Sequence, residues 1–295
     1  MSHIAYHNQV LAEQVIQFIK VDKLLGNLKN DDAGVRINSA ECIKNIVRHR
    51  AESGKIMSKD NAKPLIDYIA KYKGPAIEPA LMAISCIATF DEILAMGIIN
   101  SGAVPILKDR LTFDTDPTIK MRAAHALGCL GGFGEDHARE VANGGVLTEF
   151  KRIIYSETKK QEKRNVELLD VCKEANKKII SHCKHMDALY ELIDNETQND
   201  SLILVLKQIL KILPNSNPAK KKFAESGGLE KLLIIKDQRE RSVVASEKMD
   251  KTVESIIDDI CKSYNNDDLI NYYTPNFEQK IVAEKLDKLS QQVGE

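Results

Sequence analysis

Ser39-Ala40-Glu41-Cys42-Ile43, Ala83-Ile84-Ser85-Cys86-Ile87 and Ala126-Leu127-Gly128-Cys129-Leu130 are copies of one pattern: a small residue three places before cysteine and an aliphatic residue after it. The cysteines lie 44 and then 43 residues apart. A second marker keeps the same period. Asn100-Ser101-Gly102-Ala103-Val104 recurs as Ala142-Asn143-Gly144-Gly145-Val146, with Gly102 and Gly145 separated by 43 residues. It returns as Glu225-Ser226-Gly227-Gly228-Leu229, where Gly228 falls 83 residues after Gly145, close to two periods. A degenerate repeat is therefore expected between the last two copies.

Between the markers the apolar spacing is helical. Val35, Ser39, Cys42 and Ile46 form one stripe, with Ala40, Ile43 and Val47 beside it, and Ile119, Ala123, Ala126, Leu127 and Leu130 repeat the plan. A helix that is apolar or small around most of its girth must be buried between neighbours. Glycine after such a helix accepts the left-handed conformation that ends it. Asp116-Pro117 and Asn217-Pro218 read as helix starts, with the acid or amide as cap and proline in the first turn. A period near 43 residues with two or three helices per unit is the armadillo or HEAT range. The expected fold is all-α: an armadillo/HEAT-like α-solenoid, a right-handed superhelix of helical repeats with a C-terminal capping tail. Repeats are expected over 1–236, as about five units and a partial N-terminal one. Lys159 to Arg164 reads as a solvated insertion that lengthens one unit. A polar linker follows at 237–251, then a helical tail at 252–295.

Composition agrees. The chain has 295 residues, 43% hydrophobic and 29% charged, with 15 Gly, 8 Pro and no Trp. Those values exclude a disordered or collagen-like chain and a turn-dense β-barrel. A net charge of -1 lacks the basic excess of a general nucleic-acid binder. No run approaches 18 apolar residues and no signal-peptide plan opens the chain, so a soluble intracellular protein without membrane contact is expected. The six cysteines sit mostly in apolar helical patterns and read as reduced core residues. Cys42, Cys86 and Cys129 are expected to be buried in equivalent helices.

Candidate chemistry is thin. Cys172, His182, Cys183 and His185 are zinc-type ligands. On one helical run, however, Cys172 and Cys183 are roughly 16 Å apart along the axis, so no metal site is assigned. Gly128, Gly131, Gly132 and Gly134 follow a helix rather than a strand and lack a nucleotide-loop spacing. Asp194 to Asp200 resembles a calcium loop, but Asn199 stands where glycine belongs and Val205 where a bidentate Glu belongs. No catalytic motif occurs, so no catalytic residue, cofactor or enzymatic activity is expected.

Charge layout says more than its total. Residues 151–222 hold 15 basic and 10 acidic side chains, and residues 223–295 hold 10 basic and 15 acidic. Lys159, Lys160, Lys163, Arg164, Lys220, Lys221 and Lys222 are the candidate contact set for an acidic partner. Such a partner is another protein or the acidic end of a second copy. Ile256, Ile260, Tyr264, Tyr272, Tyr273 and Phe277 are the candidate tail-docking set, because a solenoid's last repeat needs cover.

Several stretches resemble a known family. His137-Ala138-Arg139-Glu140-Val141-Ala142, preceded by Ala123-Ala124-His125-Ala126-Leu127-Gly128, is similar to late repeats of the sperm-associated antigen 6 family. So is Leu213-Pro214-Asn215-Ser216-Asn217-Pro218-Ala219-Lys220-Lys221-Lys222-Phe223. The tail resembles it most specifically, through Ser263-Tyr264, Asp267-Asp268-Leu269-Ile270 and Tyr272-Tyr273-Thr274-Pro275-Asn276-Phe277. The resemblance runs from near residue 3 to about residue 288 and is to the C-terminal part of longer members. It implies a non-enzymatic armadillo scaffold of the ciliary central apparatus, microtubule-associated and supporting motility. The implied location is the cytoplasm and cytoskeleton, in the axoneme of a cilium or flagellum. The implied partners are axonemal proteins, tubulin or further copies of the chain. The alternative is a soluble armadillo adaptor or regulatory subunit working outside the axoneme, since fold alone does not set function. A nuclear-import receptor fits poorly, with no Trp and only Asn45 suited to a peptide-binding asparagine.

Overall fold

The computed structural model describes residues 2–49, 62–240 and 247–264, and every regular element among them is helical. The chain's internal contacts fall into two units, Met1–His182 and Cys183–Glu295.

In the first unit, α1 (Ser2–His7), α2 (Gln9–Phe18) and α3 (Val21–Asn27) precede a long buried helix, α4 (Ala33–Val47). Next come α5 (Lys63–Lys71), a 3₁₀ turn at Gly74–Ile77 and α6 (Glu78–Phe90). Two three-helix repeats complete the unit. One is α7 (Glu92–Asn100), α8 (Ala103–Phe113) and α9 (Pro117–Gly131). The other is α10 (Glu135–Asn143), α11 (Val146–Lys159) and α12 (Val166–His182). The third helices stack in succession, α4 on α6, α6 on α9 and α9 on α12. Their small and aliphatic faces make the core: Ala40 and Ile43 of α4, Ala83 and Ile84 of α6, Ala126 and Leu127 of α9 are at most 2% exposed. Small residues at the seams let the helix axes approach closely.

Side-chain bonds between repeats carry the period seen in the sequence. Asn45 Nδ2 donates to Ser2 Oγ across a 43-residue separation, and Arg122 Nε to Glu78 Oε1 across 44. His137, buried between first helices, bonds through Nε2 to the Glu92 carbonyl 45 residues away. These spacings place α1 one period before the end of α4, as the last turns of a preceding third helix.

Helix ends follow the local chemistry. Asp32, Asp91 and Asp116 each accept an N–H bond as N-caps. Gly102, Gly145 and Gly227 take φ of 86°, 69° and 76° at the turn into the next helix. The left-handed position in the third copy is thus Gly227, one residue before the glycine that the repeat spacing paired with Gly145. The cap of the helix at Asn217 also shifts by one: Ser216 accepts from the Ala219 N–H, because its hydroxyl reaches that N–H while Asn217 already lies inside the helix.

The second unit holds α13 (Met186–Tyr190), α14 (Asn199–Ile212), a 3₁₀ turn at Leu213–Asn215, α15 (Asn217–Glu225), α16 (Gly228–Glu240) and α17 (Glu247–Lys262). Its first repeat is the degenerate one. A five-residue helix leads into a turn that Asp194 closes by accepting the Glu196 and Thr197 N–H groups, while the Thr197 hydroxyl donates to the Leu192 carbonyl. The calcium-like stretch is that turn. α17 packs on α14 and α16, burying Val253, Ile256, Ile257 and Ile260.

Candidate functional site

The two halves of the basic set have different surroundings. Lys159 and Lys160 end α11, where the Lys159 ammonium lies 5.5 Å from the Tyr155 ring and Lys160 Nζ sits 2.5 Å from Glu157 Oε1. Lys163 and Arg164 are exposed in the loop that follows. In the second unit, Lys220 is half-buried and donates to the Ser263 carbonyl at 2.7 Å. Lys221 pairs with Glu225 at 3.7 Å and Lys222 with Asp187 at 2.6 Å.

The tail-docking set meets the basic set at one point. Tyr264, buried, donates its hydroxyl to the Lys220 carbonyl at 3.0 Å, and the Lys220 ammonium lies 5.7 Å from the Tyr264 ring. Lys220 and Tyr264 are thus partners in one contact that ties α15 to the end of α17. Ile256 and Ile260 are buried on the same helix. Tyr272, Tyr273 and Phe277 lie outside the described residues.

The insertion has a structural signature. Gly128 faces Ala175 and Gly131 faces Ile179, offsets of 47 and 48 residues where the earlier helices keep 43 or 44. A Cβ on Gly128 would lie 2.8 Å from the Ala175 Cβ, so the bare glycine sets how closely α9 and α12 pack. Above that seam opens a cleft of ≈ 270 Å³, lined from α9 by His125 and Gly128 and from α12 by Asp170, Glu174, Ala175 and Lys178. Burial, then the Lys178 and Arg122 charges, lower the His125 pKa and favour the neutral imidazole. Sequence reasoning missed this cleft. Its only trace was glycine at a helix position that the neighbouring repeats fill with Ser85 and Glu41.

The cysteines divide by burial. Cys42, Cys129 and Cys172 are buried, whereas Cys86 is only half-buried, against expectation, because it lies on the edge of α6 towards solvent and the Lys44 and Arg48 charges. Burial, then the Glu149 and Glu157 carboxylates, push the Cys172 thiol up to about 12. Cys183 donates to the His185 carbonyl at 3.9 Å, and His185 Nε2 lies 3.5 Å from Asp187. Asn45 is buried and spends its amide on Ser2 rather than on a groove.

No family model matches the chain. The mouse protein "Sperm-associated antigen 6" is 30% identical over 181 residues, 60% of this chain. The chain resembles sperm-associated antigen 6. The human protein of that name is 29% identical over a stretch of the same length. In both cases the match spans 32% of the relative, about a third of its length. Among solved structures, a designed armadillo repeat protein superposes with a TM-score of 0.53 at 16% identity, over 88% of this chain and 90% of its own. Another, in complex with a (KR)4 peptide, gives 0.54 at 17% identity over 84% and 100%. The chain is an all-α armadillo solenoid that is similar to sperm-associated antigen 6 over 181 residues. No helix among the described residues is long and apolar enough to cross a membrane.

Proposed function

We propose that the chain is a non-enzymatic structural scaffold of the ciliary or flagellar axoneme, organising microtubule-associated complexes for motility. The similarity to sperm-associated antigen 6 carries this reading, and the armadillo fold supports it through its mode of binding. Stacked repeats offer a long surface on which partner contacts are spread over many units instead of one pocket. The basic residues Lys159, Lys160, Lys163, Arg164, Lys220, Lys221 and Lys222 remain the proposed contact set for an acidic partner, tubulin or a neighbouring copy among them. The buried face of α17 supports a capping role for the tail.

The test is retention in detergent-extracted cilia. A tagged chain expressed in ciliated cells is expected to stay with the axoneme through detergent and to be released in steps by rising salt. Complete loss at the detergent step, with recovery in a soluble complex, overturns the axonemal role. A specific feature favours the second reading, a soluble adaptor: the cleft between α9 and α12 is on the third-helix face, and a structural neighbour is in complex with a peptide.

A further inference from the structure

The residues that lengthen one repeat form an ordered, strained and cationic loop. Between α8 and α9 the chain crosses in three residues, Asp114 to Asp116, whereas six, Lys160 to Asn165, separate α11 from α12. The longer crossing is pinned at both ends by one carboxylate. Glu157, whose side chain is 8% exposed, accepts from Lys160 Nζ at 2.5 Å and from the Asn165 N–H at 3.0 Å. Asn165 passes the constraint on, its Oδ1 accepting the Leu168 N–H at 2.9 Å to cap α12. Between these anchors Gln161, Glu162, Lys163 and Arg164 are all exposed.

The turn stores strain. Lys163 has φ 56°, the one non-glycine residue with positive φ among the described residues. A side chain in that conformation costs about 1–2 kcal/mol. Neither Lys163 nor Arg164 makes an ion pair or hydrogen bond among the described residues, so the cost is carried by the anchors at Glu157 and Asn165 rather than by the side chains in the turn. A nearly buried carboxylate holds a loop three residues longer than the crossing between α8 and α9. Strain maintained by its surroundings in this way points to a use outside the fold.

We propose that the loop Lys160–Asn165 is a preformed docking element for an acidic peptide segment of a protein partner, with Lys163 and Arg164 meeting its carboxylates and Glu157 as the positioning residue. The inference rests on the scaffold reading and narrows it, because Lys220, Lys221 and Lys222 are already engaged within their own unit. The charge pattern selects the partner. Tight binding to nucleic acid or an anionic surface draws on many neutralised phosphates. Here Glu162 and Glu167 flank two uncommitted cations, which suits a few carboxylates at set positions. The guanidinium fork of Arg164 matches a carboxylate in two bonds. Val166, 54% exposed at the start of α12, adds an apolar contact beside it.

The experiment uses the full chain and a fluorescein-labelled octaglutamate peptide, with binding read by anisotropy. The expected result is that Lys163→Glu with Arg164→Glu weakens binding about tenfold or more, while Lys222→Glu stays within about twofold. Glu157→Gln keeps both loop cations; it should weaken binding several-fold and speed amide exchange at residues 161–168. Lys163→Gly, which suits the turn and deletes one charge, should weaken binding without lowering the melting temperature. Unchanged binding in the double reversal overturns the proposal. So does unchanged binding in Glu157→Gln when its loop exchanges faster, or tighter binding to a single-stranded oligonucleotide or phosphatidylserine vesicles. Axonemal retention of the wild-type chain is scored separately. Retention with loop variants that bind normally overturns the docking element and leaves the scaffold reading standing. Wash-out with the expected peptide results does the reverse.

Discussion

Gly128 shows how much a single hydrogen-sized side chain decides. Any Cβ there meets Ala175 at 2.8 Å with backbone atoms behind it, and neither helix can yield without moving its neighbours. Gly128→Ala is expected to lower stability by about 1–3 kcal/mol, the usual cost of overpacking, read as a lower urea midpoint. Gly145 is needed for a different reason: its φ of 69° is left-handed. Gly145→Ala should cost about 1–2 kcal/mol although its surroundings offer the methyl only the end of the Lys108 side chain. Thiol chemistry gives a second residue-scale expectation. With native protein and iodoacetamide, Cys86 should react before Cys42, Cys129 and Cys172, because it alone of these four is half-exposed. Cys172, pushed up to about 12, should stay unmodified until the protein unfolds. Fast modification of Cys172 in the native state would contradict the packing of α12.

Elements are held by contacts one period apart, and the last one is the clearest case. α17 buries Val253, Ile256, Ile257 and Ile260, and its end is fastened to α15 by the Lys220–Ser263 and Tyr264–Lys220 bonds. Ile257→Ala should destabilise the second unit by about 2–5 kcal/mol. Tyr264→Phe, which removes one hydrogen bond and keeps the ring, should cost about 0.5–1.5 kcal/mol. A thermal melt that does not distinguish the two variants would mean α17 adds little. The loop before α12 has an acid sensitivity of known sign. Burial alone would raise the Glu157 carboxyl, but the Lys160 ammonium and the Asn165 N–H hold it below its ordinary value. Its contribution is therefore present above the ordinary carboxylate range, about pH 4.3, and is lost as pH falls through the depressed value. Amide exchange at Asn165 and Leu168, corrected for its intrinsic pH dependence, should show protection lost in that acid window in the wild type and already low in Glu157→Gln.

At the scale of the molecule, the proposed scaffold role places function on surface rather than in a reaction centre. Exposed ion pairs contribute little singly and are screened by salt, so partner binding through the basic residues should be cooperative and salt-sensitive. Reversing Lys220, Lys221 and Lys222 together would mix two effects, since Lys220 is a structural tie within its unit. Lys221→Glu and Lys222→Glu should leave the melting temperature nearly unchanged, whereas Lys220→Glu should lower it. Equal melting temperatures for all three would remove the assigned role of the Lys220–Tyr264 contact.

The repeat period, the helical class and the glycine-marked turns were legible in the sequence, because they depend on local rules: 3.6-residue periodicity, caps and left-handed glycines. The insertion at Lys159 to Arg164 was visible for the same reason, as a charged interruption of the pattern. What the sequence left open was which cations are spent inside the fold. Lys220 and Arg164 look alike as letters, yet one lies against Tyr264, 44 residues away, and the other faces solvent. Likewise Cys86 carries the same motif as Cys42 and Cys129 but sits nearer the edge, and Gly128 becomes a seam only because Ala175 arrives opposite it. Those outcomes depend on the offset between stacked helices, a quantity set by packing between residues more than 40 positions apart, and only the tertiary structure decides it.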